Sequence, residues 1–304
     1  MSRFFVFILT LLITFPAFSQ TSRDYLLKGL QYFAENNYQA ASNAFTKALE
    51  IDPKAYEAWF KRGQTHLEQG KLSEAHHDFS KVIEIQPNHG EAYYYRALTG
   101  IRKGMESEAL RDLDQALEVD TTLVEAYLLR AEIGYNAGRN GTVMNDLNRA
   151  AGLAPGNPNV FHLRAKHYLK SGKVMEALED LSKAVALDPS HADIRLERSQ
   201  LFIKQEQFTD AIEDLSVAIE NGCNYAHIYQ LRANAYAQAG MSSQAIADYT
   251  VLINTFSLRT DENYFQRGLL RMETNDLRGA CEDFHKASSL GHPEASKKAA
   301  EICK

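Results

Sequence analysis

Chemistry at neutral pH needs histidines, cysteines or paired charges at spacings that bring them together, and this chain holds ten histidines and three cysteines. His76 adjoins His77, and His162 precedes His167 by five residues. Neither spacing stacks two imidazoles on one helical face as i, i+4 does, so they are read as surface or groove side chains and no metal site is expected. There is no phosphate-cradling Walker loop, dinucleotide glycine cluster, nucleophile elbow or HExxH, so no catalytic residue, cofactor or enzymatic activity is expected. Cys223, Cys281 and Cys303 are an odd set, which in an oxidising compartment leaves at least one thiol over or bridged to another molecule. Cys281 and Cys303 either bridge and pin the end of the chain, or all three cysteines serve as small apolar fillers.

The charged residues are more regular. Arginine occurs at Arg62, Arg96, Arg130, Arg164, Arg198 and Arg232, each 34 residues after the last, and again at Arg267 after 35. Each stands sixteen residues before an aspartate: Asp78, Asp112, Asp146, Asp180, Asp214, Asp248 and Asp283. The preceding unit has Lys28 and Ala44 at these places, so the two residue types come and go together. This is the behaviour of side chains that meet within one repeat through charge-assisted hydrogen bonds. The aspartates also neutralise any basic track the arginines would offer an anion. With 33 basic against 39 acidic residues, a net charge of −6, the composition argues against nucleic-acid binding.

The elements that position these residues follow from the same period. Only 7 prolines and 17 glycines punctuate 304 residues, of which 45% are apolar, a composition that favours helices over many short strands. A small residue follows every arginine: Gly63, Ala97, Ala131, Ala165, Ser199, Ala233 and Gly268. A second small series runs Ala41, Ala75, Ala109, Val143, Ala177, Ala211, Ala245 and Ala280. Four residues after each of these stands a bulky one: Phe45, Phe79, Leu113, Leu147, Leu181, Leu215, Tyr249 and Phe284. Glycine or asparagine marks a turn in most units (Asn36, Gly70, Gly104, Gly138, Gly172, Gly240, Asn275), and Pro53, Pro87, Pro155 and Pro189 stop the helix that follows.

With Trp59, Gly63, Ala75, Phe79 and Pro87 in place, the chain resembles the tetratricopeptide repeat family. Arg62 and His66 stand where that pattern has leucine and tyrosine. The resemblance implies an all-α solenoid, a right-handed superhelix of about eight helix-turn-helix repeats over residues 20–294. The repeats start near residues 22, 56, 90, 124, 158, 192, 226 and 261, and a capping helix follows over 293–304 with Pro293 in its first turn. A single inserted residue between Ser257 and Asp261 marks a bend. Residues 1–19, with Arg3, the apolar run Phe4 to Phe15, and Ala17 and Ser19 at the cleavage box, read as an export signal cut after Ser19. The run is too short to span a bilayer, so a periplasmic or secreted chain without an integral span is expected.

The family also implies that the first helix of each pair lines a concave groove. Its fifth positions here are Leu26, Phe60, Tyr94, Leu128, His162, Leu196, Gln230 and Phe265. Its twelfth are Phe33, Leu67, Ile101, Tyr135, Leu169, Ile203, Ala237 and Met272. Phe60, Tyr94, Leu98, Ile101, Leu128, Glu132, Tyr135, His162 and Lys166 are the expected binding residues, for a peptide or protein segment docking on apolar rows. Packing of these rows against neighbouring helices is the competing reading. The expected function is a non-catalytic scaffold of the envelope. A carbohydrate or cell-wall binding module, with tyrosines and tryptophan stacking on sugars, is the alternative. Clamping of a carboxyl terminus is not expected, because Leu26, Leu30, Phe60 and Gln64 stand where that subgroup has lysines and asparagines.

Overall fold

The structure is a computed structural model that describes residues 20–138, 140–258 and 260–303. The expected leader, 1–19, lies outside the described residues. Among these residues seventeen helices form, packed pairwise as helix-turn-helix repeats. The chain divides into two compact units, the first reaching Leu129 and the second starting at Arg130.

The first unit holds α1 (Ser22–Ala34) with α2 (Tyr38–Ile51), α3 (Tyr56–Glu68) with α4 (Leu72–Ile85), α5 (Gly90–Arg102) with α6 (Glu106–Val119), and the start of α7 (Val124–Asn136). The second holds the rest of α7 with α8 (Asn140–Leu153), α9 (Pro158–Lys170) with α10 (Val174–Leu187), and α11 (Ala192–Lys204) with α12 (Phe208–Glu220). It continues with α13 (Ala226–Gln238) and α14 (Ser242–Asn254), α15 (Asp261–Glu273) and α16 (Leu277–Ser289), and ends in α17 (Ala295–Ile302). We refer to the first helix of each pair as helix A and to the second as helix B.

Local signals set the helix ends. Thr21 and Asp24 form a reciprocal capping box at the start of α1. Asn157 caps α9, whose first residue is Pro158, a residue that loses nothing there because the first amide has no helical partner. Helix A closes on a left-handed residue: at Gly70, with φ 71°, the Lys71 amide reaches the His66 carbonyl at 2.8 Å and the Gly70 amide reaches Leu67 at 3.0 Å. The α11–α12 turn puts Glu206 there instead, at φ 60°, a conformation its Cβ disfavours. The capping helix begins at Ala295, not at Pro293. Pro293 lies in the turn before it, where the Glu294 amide bonds the His292 ring nitrogen at 3.3 Å.

Packing within a pair follows a size rule. Gly29, Gly63 and Gly268 on helices A face Phe45, Phe79 and Phe284 on helices B, and a Cβ at Gly63 or Gly268 would lie 2.8 Å or 2.9 Å from the ring. Pairs with alanine or serine at that place carry leucine opposite (Leu113, Leu147, Leu181, Leu215), and Ala233 has Tyr249. In the Gly–Phe and Ala–Leu pairs small facing large keeps the interior volume similar; the Ala233–Tyr249 pair is larger, and its hydroxyl reaches out to Asn234. Each core also borrows from the next helix A: Ala58 joins the cluster around Phe45, Ala92 that around Phe79, and Ile194 that around Leu181. No pair closes its apolar face alone, which is why the repeats stack.

Candidate ligand-binding faces

The arginine series turns inward. All seven arginines donate from Nε and Nη2 to both oxygens of the aspartate sixteen residues on, at 2.6 to 2.9 Å. Bidentate geometry of this kind matches the guanidinium fork to a carboxylate. Three aspartates have a further basic neighbour: His66 beside Asp78, Arg195 on Asp214 and Arg271 on Asp283. Sequence reasoning missed a second set of bonds. The free Nη1 of Arg62, Arg96, Arg164, Arg198, Arg232 and Arg267 donates to Thr46, Ser80, Asn148, Ser182, Ser216 and Thr250 on the preceding helix B, at 3.0 to 3.4 Å. The signal was present, since each of these small polar residues directly follows the bulky series.

The expected binding residues lie on the helix-A faces. In the first unit the expected residues are Phe60, Tyr94, Leu98, Ile101 and Leu128; in the second, Glu132, Tyr135, His162 and Lys166. Phe60 is only 6% exposed, its ring set against Phe79, His89 and Tyr95. Tyr94, Leu98, Ile101 and Leu128 are half-buried. Burial, then Tyr95 and the Glu125 carboxylate, pushes the Tyr94 phenol up to about 12, so it stays a neutral hydrogen-bond donor. Glu132 is exposed, and Tyr135 is half-buried under Lys170, whose Nζ donates to the Tyr135 carbonyl at 2.6 Å and lies 4.2 Å from the ring centre. His162 is held by Glu197 at 2.9 Å, with Lys166 half-buried one turn along. Both apolar rows therefore divide their surface between neighbouring helices and solvent.

Among the described residues, each unit has a cavity on these faces. In the first unit Leu26, Leu30, Tyr56, Glu57, Phe60, Lys61, His89 and Glu91 line one of about 380 Å³, every residue drawn from α1, α3 and α5 or the cap of α5. The second unit has a larger one of about 760 Å³ lined by α13 and α15 together with Tyr249, Leu258 and Thr260. Gln230, Asn234 and Gln238 present carboxamides along one stripe of α13, and Asp261, Glu262, Asn263 and Gln266 face them. Gln230 donates to Asn234 at 3.3 Å, and the Tyr249 hydroxyl donates to the same Asn234 oxygen at 2.6 Å. Burial foremost, with the Glu262 charge, pushes the Tyr249 phenol up to about 12. Sequence reasoning named Gln230 and Ala237 by position but not this carboxamide row, whose spacing of four was its only signal.

One catalytic-looking arrangement is present. Ser42 Oγ lies 3.0 Å from His66 Nε2, and His66 Nδ1 lies 3.0 Å from Asp78, the order of a nucleophilic relay. The second contact is close but misaligned for a hydrogen bond, and Asp78 is already gripped by Arg62. Ser42 is buried, 8% exposed. The trio ties α2, α3 and α4 together inside the first unit. Of the aromatics that would stack on sugars, Trp59 donates to the Pro53 carbonyl at 2.9 Å and its ring lies under Arg62.

Cys281 and Cys303 are bridged, which resolves the alternatives left by their spacing, and Cys223 is a buried thiol that accepts from the Tyr225 hydroxyl at 3.2 Å.

Family models described as TPR repeat and Tetratricopeptide repeat match residues 29–70, 56–89 and 162–226. These matches place tetratricopeptide repeats in residues 29–89 and 162–226, and the paired-helix fold of such repeats runs through the described residues. Among solved structures it is similar to one from Pseudomonas aeruginosa described as the functional characterization of pilF, at 19% identity over 67% of this chain and 93% of that one, TM-score 0.59. A tetratricopeptide repeat protein from Parabacteroides merdae is 20% identical over 82% of this chain and 99% of that one, TM-score 0.51. At such identities the likeness is one of fold. No curated protein sequence matches the chain.

Proposed function

We propose that this protein is an exported, non-catalytic adaptor that holds an extended segment of another protein against its helix-A faces, within an envelope assembly. The observation that carries the reading is the 760 Å³ cleft with its row of Gln230, Asn234 and Gln238. A carboxamide both donates and accepts, as a peptide group does, so a row of them can satisfy a strand of backbone without demanding a particular side chain. In the first unit Glu57 and Glu91 at the 380 Å³ cavity favour a segment with lysine or arginine there. Tetratricopeptide repeat proteins generally bind other proteins and are typically non-catalytic.

Binding is tested on an array of extended peptides with the intact chain and with Gln230, Asn234 and Gln238 changed together to alanine. The expected result is peptide retention by the intact chain and its loss in a variant that keeps its helical circular dichroism. Identical retention by both would remove the cleft from the reading. Export rests on residues 1–19 and is tested by intact mass after expression in a bacterium with an envelope. A chain shortened by its first 19 residues and found outside the cytoplasm is expected, and an uncut cytoplasmic chain overturns it.

A further inference from the structure

His285 follows Cys281 by one helical turn on α16, so its imidazole stands over the sulfur on the same face. The helix α17 docks on α16 through Ala295 and Ala299, which are buried with Phe284 and Ala287, and delivers Cys303 to that face. The two sulfurs and a ring nitrogen of His285 all lie within 4.8 Å of one another. His285 itself is exposed.

We propose that reduction of the Cys281–Cys303 disulfide creates a site for a thiophilic cation, with Cys281, Cys303 and His285 as ligands and zinc as the reference ion. A small dithiol supplies the electrons. It passes two electrons and two protons to the bridge, the S–S bond breaks, two thiols form, and the reductant leaves as its own disulfide. Cation binding then releases both thiol protons, since thiolate is the ligand, and takes the neutral imidazole through its unprotonated nitrogen. In a tetrahedral zinc site, bonds of about 2.3 Å to sulfur and 2.0–2.1 Å to nitrogen set donor atoms roughly 3.5–3.8 Å apart. The two sulfurs, bonded to each other in the bridge, part to that spacing once it is reduced, and the His285 nitrogen, within 4.8 Å of both, closes on them by about an ångström at most as the exposed imidazole turns on its side-chain torsions. Three protein ligands leave a fourth position facing solvent, where water completes the shell. Disulfide and cation exclude each other, because both need the same two sulfurs. Each fastens α17 to α16, so the cap is held in either redox state.

The full chain is dialysed against micromolar zinc, once oxidised and once after anaerobic reduction, and the bound metal is counted. Cobalt replaces zinc in a parallel sample to reveal thiolate-to-metal charge-transfer absorption. One additional zinc per reduced chain is expected, together with that absorption, and neither in the oxidised chain, which carries the same histidines. His285→Ala leaves the disulfide intact and should weaken uptake in the reduced chain by at least about tenfold, whereas Cys223→Ser should leave it unchanged. Titrating a disulfide oxidant into the loaded chain should release the metal in step with bridge formation. A reduced chain that keeps its helical circular dichroism and takes up no extra zinc overturns the proposal. So does uptake that survives Cys281→Ser or has undiminished affinity in His285→Ala, or an α17 whose amides lose exchange protection on reduction and do not regain it with zinc.

Discussion

Removing one member of the Arg164–Asp180 pair should hurt more than removing both. The side chains are 14% and 3% exposed, joined by bonds of 2.6 Å and 2.8 Å. Arg164→Met strands Asp180, which is nearly sealed from water, and breaking such a pair costs about 3–5 kcal/mol. Asp180→Leu strands the guanidinium, whose partial exposure lets it turn toward solvent, so about 3 kcal/mol is expected, at the lower end of the same range. Replacing both with side chains of similar volume removes the charges together and should cost only about 0–1 kcal/mol, apart from the loss of the bond to Asn148. Repeat arrays open in stages, so a single melting midpoint would blur these differences. Native-state hydrogen exchange of α9 and α10, read peptide by peptide, isolates them. A double variant as unstable as the two single losses added together would show that the side chains contribute independently, and one no more stable than the worse single would show that removing the second charge relieves nothing; either result would refute the reasoning.

Three further outcomes follow from the geometry. Gly63→Ala drives a Cβ into the Phe79 ring and should cost about 1–3 kcal/mol, while adding Phe79→Leu should recover most of it, as measured by urea unfolding. Glu206→Gly relieves a left-handed non-glycine turn and should stabilise α11 and α12 by about 1 kcal/mol, seen as slower exchange of their amides. Burial, followed by the charges of Lys170 and Lys173, lowers the proton affinity of His167 in the folded chain. On acidification the unfolded chain protonates first, near the ordinary histidine value of about 6.5, so the stability given by the neutral ring is complete above that value and lost as the pH falls toward the folded one. His167→Gln should flatten this acid limb of stability in urea titrations, and a limb of unchanged steepness would assign it to other groups.

The repeat and its charges were legible because each is carried by a period. Arginine followed sixteen residues later by aspartate spans one helix, a tight turn and part of the next helix, so a hairpin of two helices brings them level. The small and bulky series were visible for the same reason, though not that glycine is reserved for phenylalanine. That match crosses from Gly63 to Phe79 or Gly268 to Phe284, and shows only when pairs are compared. Features built from three elements had no such carrier. Ser42, His66 and Asp78 sit on separate helices, and Cys303 reaches Cys281 and His285 only after α17 has folded back. The larger cleft draws on Leu258 and Thr260, beside the inserted residue, as well as on α13 and α15, and only the spacing of four in its carboxamide row announced it. The apolar rows were half legible: helical spacing located Phe60 and Tyr94, but how far each sinks depends on the next helix A.

The matching of glycine to phenylalanine and alanine to leucine makes the pair of helices, not the single helix, the unit of inheritance. A crossover that falls in the turn at Gly70 and joins α3 to a second helix from a leucine-bearing pair would leave a hollow beside Gly63. The reciprocal product would force alanine against a phenylalanine ring. Exchanges that break between pairs, near Pro53 or Pro87, carry both halves of the fit and leave it whole. Duplication and shuffling of this array should therefore leave seams in the connections between repeats and few inside them.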